Sequence, residues 1–253
     1  MKTIFITGGS TGIGAASVKR FLEGGWNVCF MDINTQEASG LLEEFHNTES
    51  LLFVEGNIRK REDIHGAVTK AVEKFGRIDS VFANAGIHRS NTLLDVTDEE
   101  LDLMIQTNIY GTVNTLRECV PYIVEAGGGS VVINSSDQWF IGKAHSFVYG
   151  MTKGALGQIT RSLSIDLGPM NIRVNAICPG TIHTPLLDGV FERLSKKEGR
   201  SVEDYMKEED SLYARKKMGT PEEVAELVYF LAGDKAGFCT GGLYPIDGGL
   251  VAK

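Results

Sequence analysis

Ile4-Phe5-Ile6-Thr7-Gly8-Gly9-Ser10-Thr11-Gly12-Ile13-Gly14 is the stretch on which the fold turns. A short β-branched run passes straight into a glycine-rich turn, and a helical pattern follows. Glycines let the backbone bend sharply and approach a pyrophosphate, whose charge the amides and dipole of a helix N-terminus favour. The spacing is Gly-x-x-x-Gly-x-Gly rather than the Gly-x-Gly-x-x-Gly of the standard dinucleotide fingerprint. Taken alone, such a turn is weak evidence, and a structural corner that binds nothing is the lesser alternative.

Working outward, short apolar runs recur at wide spacing, each followed by a helix-length segment: Val28–Met31, Leu51–Val54, Ile78–Ala83, Val131–Ile133, Ile172–Cys178 and Leu243–Ile246. Strands alternating with helices imply parallel strands joined by crossovers. Runs that are apolar throughout suit a sheet buried on both sides. The expectation is an α/β fold: a Rossmann-type doubly wound parallel sheet flanked by helices on both faces, as one domain over residues 1–253. The triplet Gly127-Gly128-Gly129 reads as a helix stop, not a linker. Residues 183–218 break the rhythm, being long, charged and helical in composition, and are expected to form a cover outside the sheet or a subunit contact.

Bulk properties narrow the function. A formal charge of −8 argues against nucleic acid as the main partner, since phosphate binding calls for a basic face. No apolar run approaches the roughly 18 residues of a membrane span. Met1-Lys2-Thr3 leads directly into a strand without a signal-peptide layout, so the expected location is the cytoplasm. The four cysteines are widely spaced, which suggests packed thiols and no metal or redox pair.

Asp32 closes the second apolar run, near the ~20-residue offset at which an acid can accept from adenosine ribose hydroxyls. A carboxylate there repels a 2′-phosphate, and no Arg or Lys stands at Ser10, Thr11, Ile33 or Asn34 to receive one. NAD is the expected cofactor. Farther along, Tyr149 and Lys153 lie four apart in a helical pattern and share a face. A lysine ~4 Å from a phenol favours phenolate by about 4 kcal/mol at an effective dielectric near 20, which brings it toward use as a general acid/base. A second Tyr-x-x-x-Lys, Tyr213 to Lys217, lies in the charged segment and reads as a solvated helix face. Ser136 falls just beyond a strand, at the carboxyl edge where open α/β sheets bind ligands. Asn108 interrupts the amphipathic pattern of Leu101, Ile105 and Ile109, and Asn84-Ala85-Gly86 ends the fourth strand.

Together these residues resemble the short-chain dehydrogenase/reductase family along essentially the whole chain. Gly8, Ser10, Thr11, Gly12, Ile13 and Gly14 are similar to its dinucleotide loop, and Asn84, Ala85 and Gly86 to its Asn-Ala-Gly motif. Asn108, Ser136, Tyr149 and Lys153 stand in the order of its catalytic tetrad. Pro179, Gly180, Thr181, Ile182 and Thr184 resemble the segment that holds the nicotinamide carboxamide, and Asp247-Gly248-Gly249 its carboxyl-terminal ending. Asn57, followed by Ile58, stands where the family usually places Asp beside the adenine. The resemblance implies a secondary alcohol/carbonyl oxidoreductase and a homotetramer. It also implies that Lys153 binds the nicotinamide ribose and that Asn108 supports a proton-relay water.

Gln138 and Trp139, with His88, His145 and His183, are the substrate-facing candidates on loops at the sheet edge; the last two fit surface or packing histidines equally well. Asp137 and Gln138 suit a hydroxyl-rich small molecule such as a sugar or polyol, and the charged run Lys196–Arg200 suits steroids and long acyl chains poorly. Two alternatives stay open: a 3-oxoacyl-carrier reductase, against which Asp32 counts, and a non-catalytic NAD-binding sensor.

Overall fold

The computed structural model describes residues 1–46 and 48–252, and all of their side chains except that of Lys197. Seven parallel strands form one sheet: β1 (Thr3–Thr7), β2 (Asn27–Asp32), β3 (Leu51–Glu55), β4 (Ser80–Ala83), β5 (Gly129–Asn134), β6 (Ile172–Pro179) and β7 (Leu243–Ile246). Their spatial order is β3-β2-β1-β4-β5-β6-β7. The helices between them are α1 (Gly12–Glu23), α2 (Thr35–Glu44), α3 (Arg61–Phe75), α4 (Asp98–Met104), α5 (Gly111–Glu125), α6 (Phe147–Leu167), α7 (Pro185–Glu198), α8 (Val202–Leu212) and α9 (Pro221–Ala232).

Strand alternation explains why the runs are apolar throughout. Phe5 points into one core, with Val81, Val131 and residues of α3, α5 and α6. Its neighbours Ile4 and Ile6 point into the other, with Phe30, Val132 and residues of α1, α2 and α9. Both faces are therefore dry, the condition under which period-2 side chains must all be apolar. The strand expected at residues 78–83 starts two residues later. Ile78 is fully buried just ahead of the strand, and Asp79, whose main chain already bonds to Thr3 and Ser130, also accepts from the Thr3 backbone N–H on its carboxylate at 2.8 Å while pairing with Arg77.

Sheet order decides where a ligand can sit. The chain leaves β3 at one edge and re-enters as β4 on the far side of β1, so the crossovers diverge at the carboxyl ends of β1 and β4. Such a divergence opens a crevice. Residues 183–218 supply α7 and α8, which lie over that edge. No helix among the described residues is long and apolar enough to cross a membrane.

Candidate active site

A cleft of about 630 Å³ lies at this edge and runs from Asp32 on β2 to Tyr149 on α6. At its near end the glycine turn is shaped by contact rather than by flexibility alone. Gly8 has φ +67°, and a Cβ there would sit 2.9 Å from the Ala85 Cα; one on Gly14 would sit 1.8 Å from the Gly8 carbonyl oxygen. Asn84 holds this geometry. Its Nδ2 donates to the Thr7 and Gly8 carbonyls at 3.0 Å each, and its Oδ1 accepts from Asn134 Nδ2 at 2.9 Å. With every polar atom of its side chain engaged, Asn84 acts as a tie between β4 and the loop, while Ala85 and Gly86 line the cleft.

Asp32 also lines the cleft, with Oδ2 accepting from the Ser10 N–H and Oδ1 from the Asn34 N–H, each at 3.0 Å. The Ser10 hydroxyl is buried and has no partner. Ser10 and Gly14 do not line the cleft, whereas Thr11, Gly12 and Ile13 do. Asn57 and Ile58 follow along the wall. The Asn57 Oδ1 already accepts from the Arg59 N–H at 3.0 Å, so one of its two lone pairs is occupied. A backbone cradle that only glycine fits, an orphaned hydroxyl at its base and an acid at the next strand end are a set that suits a dinucleotide.

At the far end Ser136, Tyr149 and Lys153 converge. The Ser136 hydroxyl neighbours the Tyr149 phenol and donates to Asp137 Oδ1 at 2.8 Å. Lys153 Nζ lies 5.5 Å from the Tyr149 ring centre and donates to the Asn134 carbonyl at 2.7 Å. The phenol is not lowered in the way the four-residue spacing suggests. Burial pushes its pKa up, the nearby Asp137 charge adds to this, and only the neighbouring Ser136 hydroxyl opposes it. The reason lies in the lysine, which burial itself pulls down to about 8. An ammonium that is poorly hydrated and committed to a carbonyl gives the phenol little help.

Asn108 sits behind this group, almost fully buried and outside the cleft lining. The segment Ile105–Tyr110, which reads as amphipathic α-helix, is wound as a π-helix; such turns are frequent at functional sites. The Asn108 carboxamide accepts from the Ile87 N–H at 2.8 Å and donates to the Ile87 carbonyl and to Thr152 Oγ1, both at 3.0 Å. Its side chain has thus tied the β4 loop to α6, the helix that carries Tyr149 and Lys153. Pro179, Gly180, Thr181, Ile182 and Thr184 line the cleft from β6 into α7, and Thr184 caps α7.

Three expectations change here, those for Trp139, Tyr213 and the cover. Trp139 does not reach the cleft, because its ring packs where a Cβ on Gly157 would stand and lies under the Arg161 guanidinium, 4.9 Å from it. Gln138, its neighbour, does line the cleft. Tyr213 is no solvated helix residue. It is 1% exposed, lies just past the end of α8, accepts from the Thr181 N–H at 2.9 Å and donates to Glu209 at 2.9 Å. His145 and His183 are exposed and outside the cleft, and His183 pairs with Asp188 at 3.2 Å. The cover also differs from its reading: the charged run lies at the far end of α7, and Leu187, Val190 and Phe191 face the cleft. A helix turns its apolar stripe inward whatever its charge count.

The site contains residues that no sequence signal singled out. Arg59 joins the adenosine end, and Arg89, Lys143 and Glu209 join the reacting end. Each is an ordinary loop or helix charge in sequence, and only the fold brings it to this wall. His88, already a candidate, packs its ring edge-on against Tyr149 at 4.8 Å, and burial and neighbouring cations lower its pKa to about 4.

A strand-order crevice with a glycine cradle at one end and a Ser/Tyr/Lys group at the other defines a dinucleotide-dependent oxidoreductase. Comparison with known proteins agrees. A family model described as enoyl-(acyl carrier protein) reductase matches residues 8–251. The 3-oxoacyl-[acyl-carrier-protein] reductase FabG of Thermotoga maritima is 34% identical over 99% of this chain and 98% of its own. A short-chain dehydrogenase family protein from Francisella tularensis superposes with a TM-score of 0.90 at 34% identity, covering both chains fully. The aldohexose dehydrogenase of Thermoplasma acidophilum does so with a TM-score of 0.90 at 27% identity, covering 100% of this chain and 94% of its own. ElxO, solved with NADP bound, is 29% identical with a TM-score of 0.89, covering 100% of this chain and 99% of its own. The chain belongs to the short-chain dehydrogenase/reductase family, and it is an NAD(P)-dependent oxidoreductase acting on CH–OH groups.

Proposed function

We propose that this enzyme interconverts a small polar secondary alcohol, such as a sugar or polyol, and its carbonyl, with NAD as the preferred cofactor. The observation that carries this reading is the convergence of Ser136, Tyr149 and Lys153 at one end of a cleft whose other end is Asp32. Gly8, Gly12, Asp32, Asn57 and the Pro179–Thr184 segment are the residues that would hold the dinucleotide, which supplies the hydride acceptor or donor when bound. The chain itself handles the proton. Tyr149 Oη receives it from the alcohol, or returns it to the carbonyl oxygen. Ser136 Oγ orients the phenol and, through its bond to Asp137, is itself held in one direction. Lys153 is the nearest cation to the phenol, its Nζ 5.5 Å from the ring centre, but burial and its bond to the Asn134 carbonyl leave it a weak support for the phenolate. Both Nδ2 donors of Asn108 are engaged, so a relay water on this residue would have to donate, either to the second lone pair of Oδ1 or to the main-chain carbonyl, which already accepts from Thr112 Oγ1 at 2.9 Å.

The preference for NAD rests on electrostatics. Two backbone N–H groups hold the Asp32 carboxylate at the cleft, where it repels a 2′-phosphate. ElxO shows that similar chains take NADP, and Arg59 lies within the same wall here. The NAD-over-NADP ratio of kcat/KM is expected to exceed tenfold and to fall toward unity in Asp32→Ala; an unchanged ratio removes Asp32 from this role. A panel of sugars, polyols and ketones read by NADH absorbance tests the substrate class. One observation favours a second reading, reduction of a carrier-bound 3-oxoacyl chain: the apolar inner face of α7 offers contacts to an acyl tail. An acetoacetyl thioester in the same panel separates the two.

A second copy of this chain is the proposed partner, in a homotetramer. Phe147, Met151 and Ile165 fall on one stripe of α6, and all three are more than 40% exposed. An apolar stripe of this kind is costly to leave in water. Light scattering that finds a stable monomer overturns this. The cytoplasm is the proposed location, in keeping with four free thiols, of which three are buried.

A further inference from the structure

We propose that Asp137, neutralised by Lys143, is a positioning residue that holds the proton of the Ser136 hydroxyl, so that Ser136 can only accept in the site and Tyr149 is left as the hydroxyl that donates to the substrate oxygen. This rests on the reading of Tyr149 given above and goes beyond it, because it assigns work to two residues outside the Ser/Tyr/Lys group.

The turn after β5 sets the geometry. Ser136 caps a single tight turn, Asp137–Trp139, and its Oγ accepts from the Gln138 N–H at 3.2 Å. The same Oγ lies 2.8 Å from Asp137 Oδ1. A carboxylate has no proton to give, so the hydrogen between them belongs to the serine. A hydroxyl has one hydrogen and two lone pairs. With the hydrogen spent on Asp137 and one lone pair on Gln138, a single lone pair is left. Ser136 lines the cleft beside Tyr149, where that lone pair can take a hydrogen bond from the phenol or from a substrate hydroxyl. It can offer none to a carbonyl or to a phenolate.

Burying a carboxylate is costly unless the charge is matched. Asp137 is 1% exposed, and the loop that follows returns Lys143 to it, with Nζ 2.9 Å from Oδ2. That approach lacks hydrogen-bond angles, so Oδ2 has a charge partner but no directed bond. The two oxygens therefore divide the work. Oδ2 meets the cation, and Oδ1 stays free for the serine.

The phenol faces Lys153 on its own helix, His88 from the loop after β4, and Ser136 with Asp137 from the turn after β5. His88 is neutral at pH 7, its pKa lowered to about 4 by burial and neighbouring cations. Lys153 is committed to the Asn134 carbonyl. Asp137 is the anion of this set, and its charge opposes the phenolate. A serine proton turned toward the phenol would favour the phenolate, but Asp137 holds that proton. Both effects keep hydrogen on Tyr149, where carbonyl reduction uses it.

Two replacements are expected to act with opposite sign. Asp137→Asn removes the charge and loosens the hold on the serine proton. Its kcat/KM for alcohol oxidation at pH 7 is expected to rise about threefold or more, the response of a base that is more often deprotonated. Lys143→Met leaves the Asp137 charge uncompensated and is expected to lower the same quantity by a similar factor, while Lys143→Arg restores it. Phenolate absorbance of the ligand-free enzyme, with the Tyr149→Phe protein as blank, reads the effect without turnover. Phenolate is expected at lower pH in Asp137→Asn than in the unaltered enzyme. Where circular dichroism shows that a single replacement has not folded, the double variant Asp137→Asn/Lys143→Met removes the buried pair whole, and its phenolate is likewise expected at lower pH. In a Ser136→Ala background the effect of Asp137→Asn is expected to shrink to less than half on a logarithmic scale, because no hydroxyl remains to be held. Rate changes of the same sign in Asp137→Asn and Lys143→Met overturn the proposal. So does an unchanged phenolate titration in a folded variant lacking Asp137, or an Asp137 effect undiminished without Ser136. Failure to oxidise any alcohol sinks the proposed reaction instead, and the absorbance titration still decides the role of the pair.

Discussion

Two Tyr-x-x-x-Lys pairs occur in this chain, and they end in different worlds. Tyr149 and Lys153 lie on one continuous helix, so the fourfold spacing brings the ammonium to 5.5 Å from the ring centre at the mouth of the cleft. Tyr213 lies past the end of α8, and the helix does not connect it to Lys217. Lys217 swings to Glu223 at 2.8 Å, at half-exposed positions. Tyr213 buries itself instead and clamps Thr181, a residue of the segment proposed to hold the nicotinamide end of the cofactor. Equal spacing thus gives a pair only where the backbone stays helical. The tyrosine without a working lysine is nonetheless tied to the site through Glu209, which lines the cleft.

The comparison can be broken at its strongest point first. Tyr149→Phe removes the oxygen that exchanges the proton and keeps the ring. Activity is expected to fall at least ~10²-fold, the usual scale for an acid–base group, with NADH affinity held. Retained turnover would move the chemistry elsewhere.

The pH profile sharpens the same pair. Burial holds the phenol above its ordinary value and Lys153 down near 8. Reduction uses the protonated phenol and so is expected to be flat in kcat on the acid side. Oxidation uses the phenolate, present only in small fraction at neutral pH. Its kcat/KM is expected to climb by up to about tenfold per pH unit between pH 6 and 8. A pH-independent oxidation rate over that interval contradicts the assignment.

Tyr213→Phe comes next. Losing its hydroxyl leaves the half-buried Thr181 N–H without its acceptor, a cost of at most about 1–3 kcal/mol. The expected readout is a several-fold rise in KM for the cofactor and a lower Tm, with kcat changed far less than in Tyr149→Phe. The smallest effect belongs to Lys217→Ala, because a half-exposed ion pair is worth about 0–1 kcal/mol. A loss of activity there comparable to Tyr213→Phe would show that the second pair acts as a unit after all.

Much of the site could be read before any coordinates. The glycine turn, Asp32, Ser136, Tyr149 and Lys153 each follow from a local rule: a strand end, a turn that only glycine fits, a helix repeat. What escaped reading depended on the return of distant chain. Trp139 follows Gln138 directly, yet it turns onto Gly157 because that glycine leaves room for an indole. Arg59, Arg89 and Lys143 look like any surface charges in the sequence, and α7 looks polar because its charges sit on the outer side and at the far end.

The sequence by itself determined the layered fold, through runs apolar on both faces, and it determined which residue types stand at the strand ends. Those are short-range facts of periodicity and backbone freedom, and they survive without knowledge of neighbours. The tertiary structure alone decided which charges are matched, and in which direction burial shifts the phenol and its lysine. Solvation and pairing depend on what the rest of the chain places within a few ångströms, and no local pattern of residues encodes that.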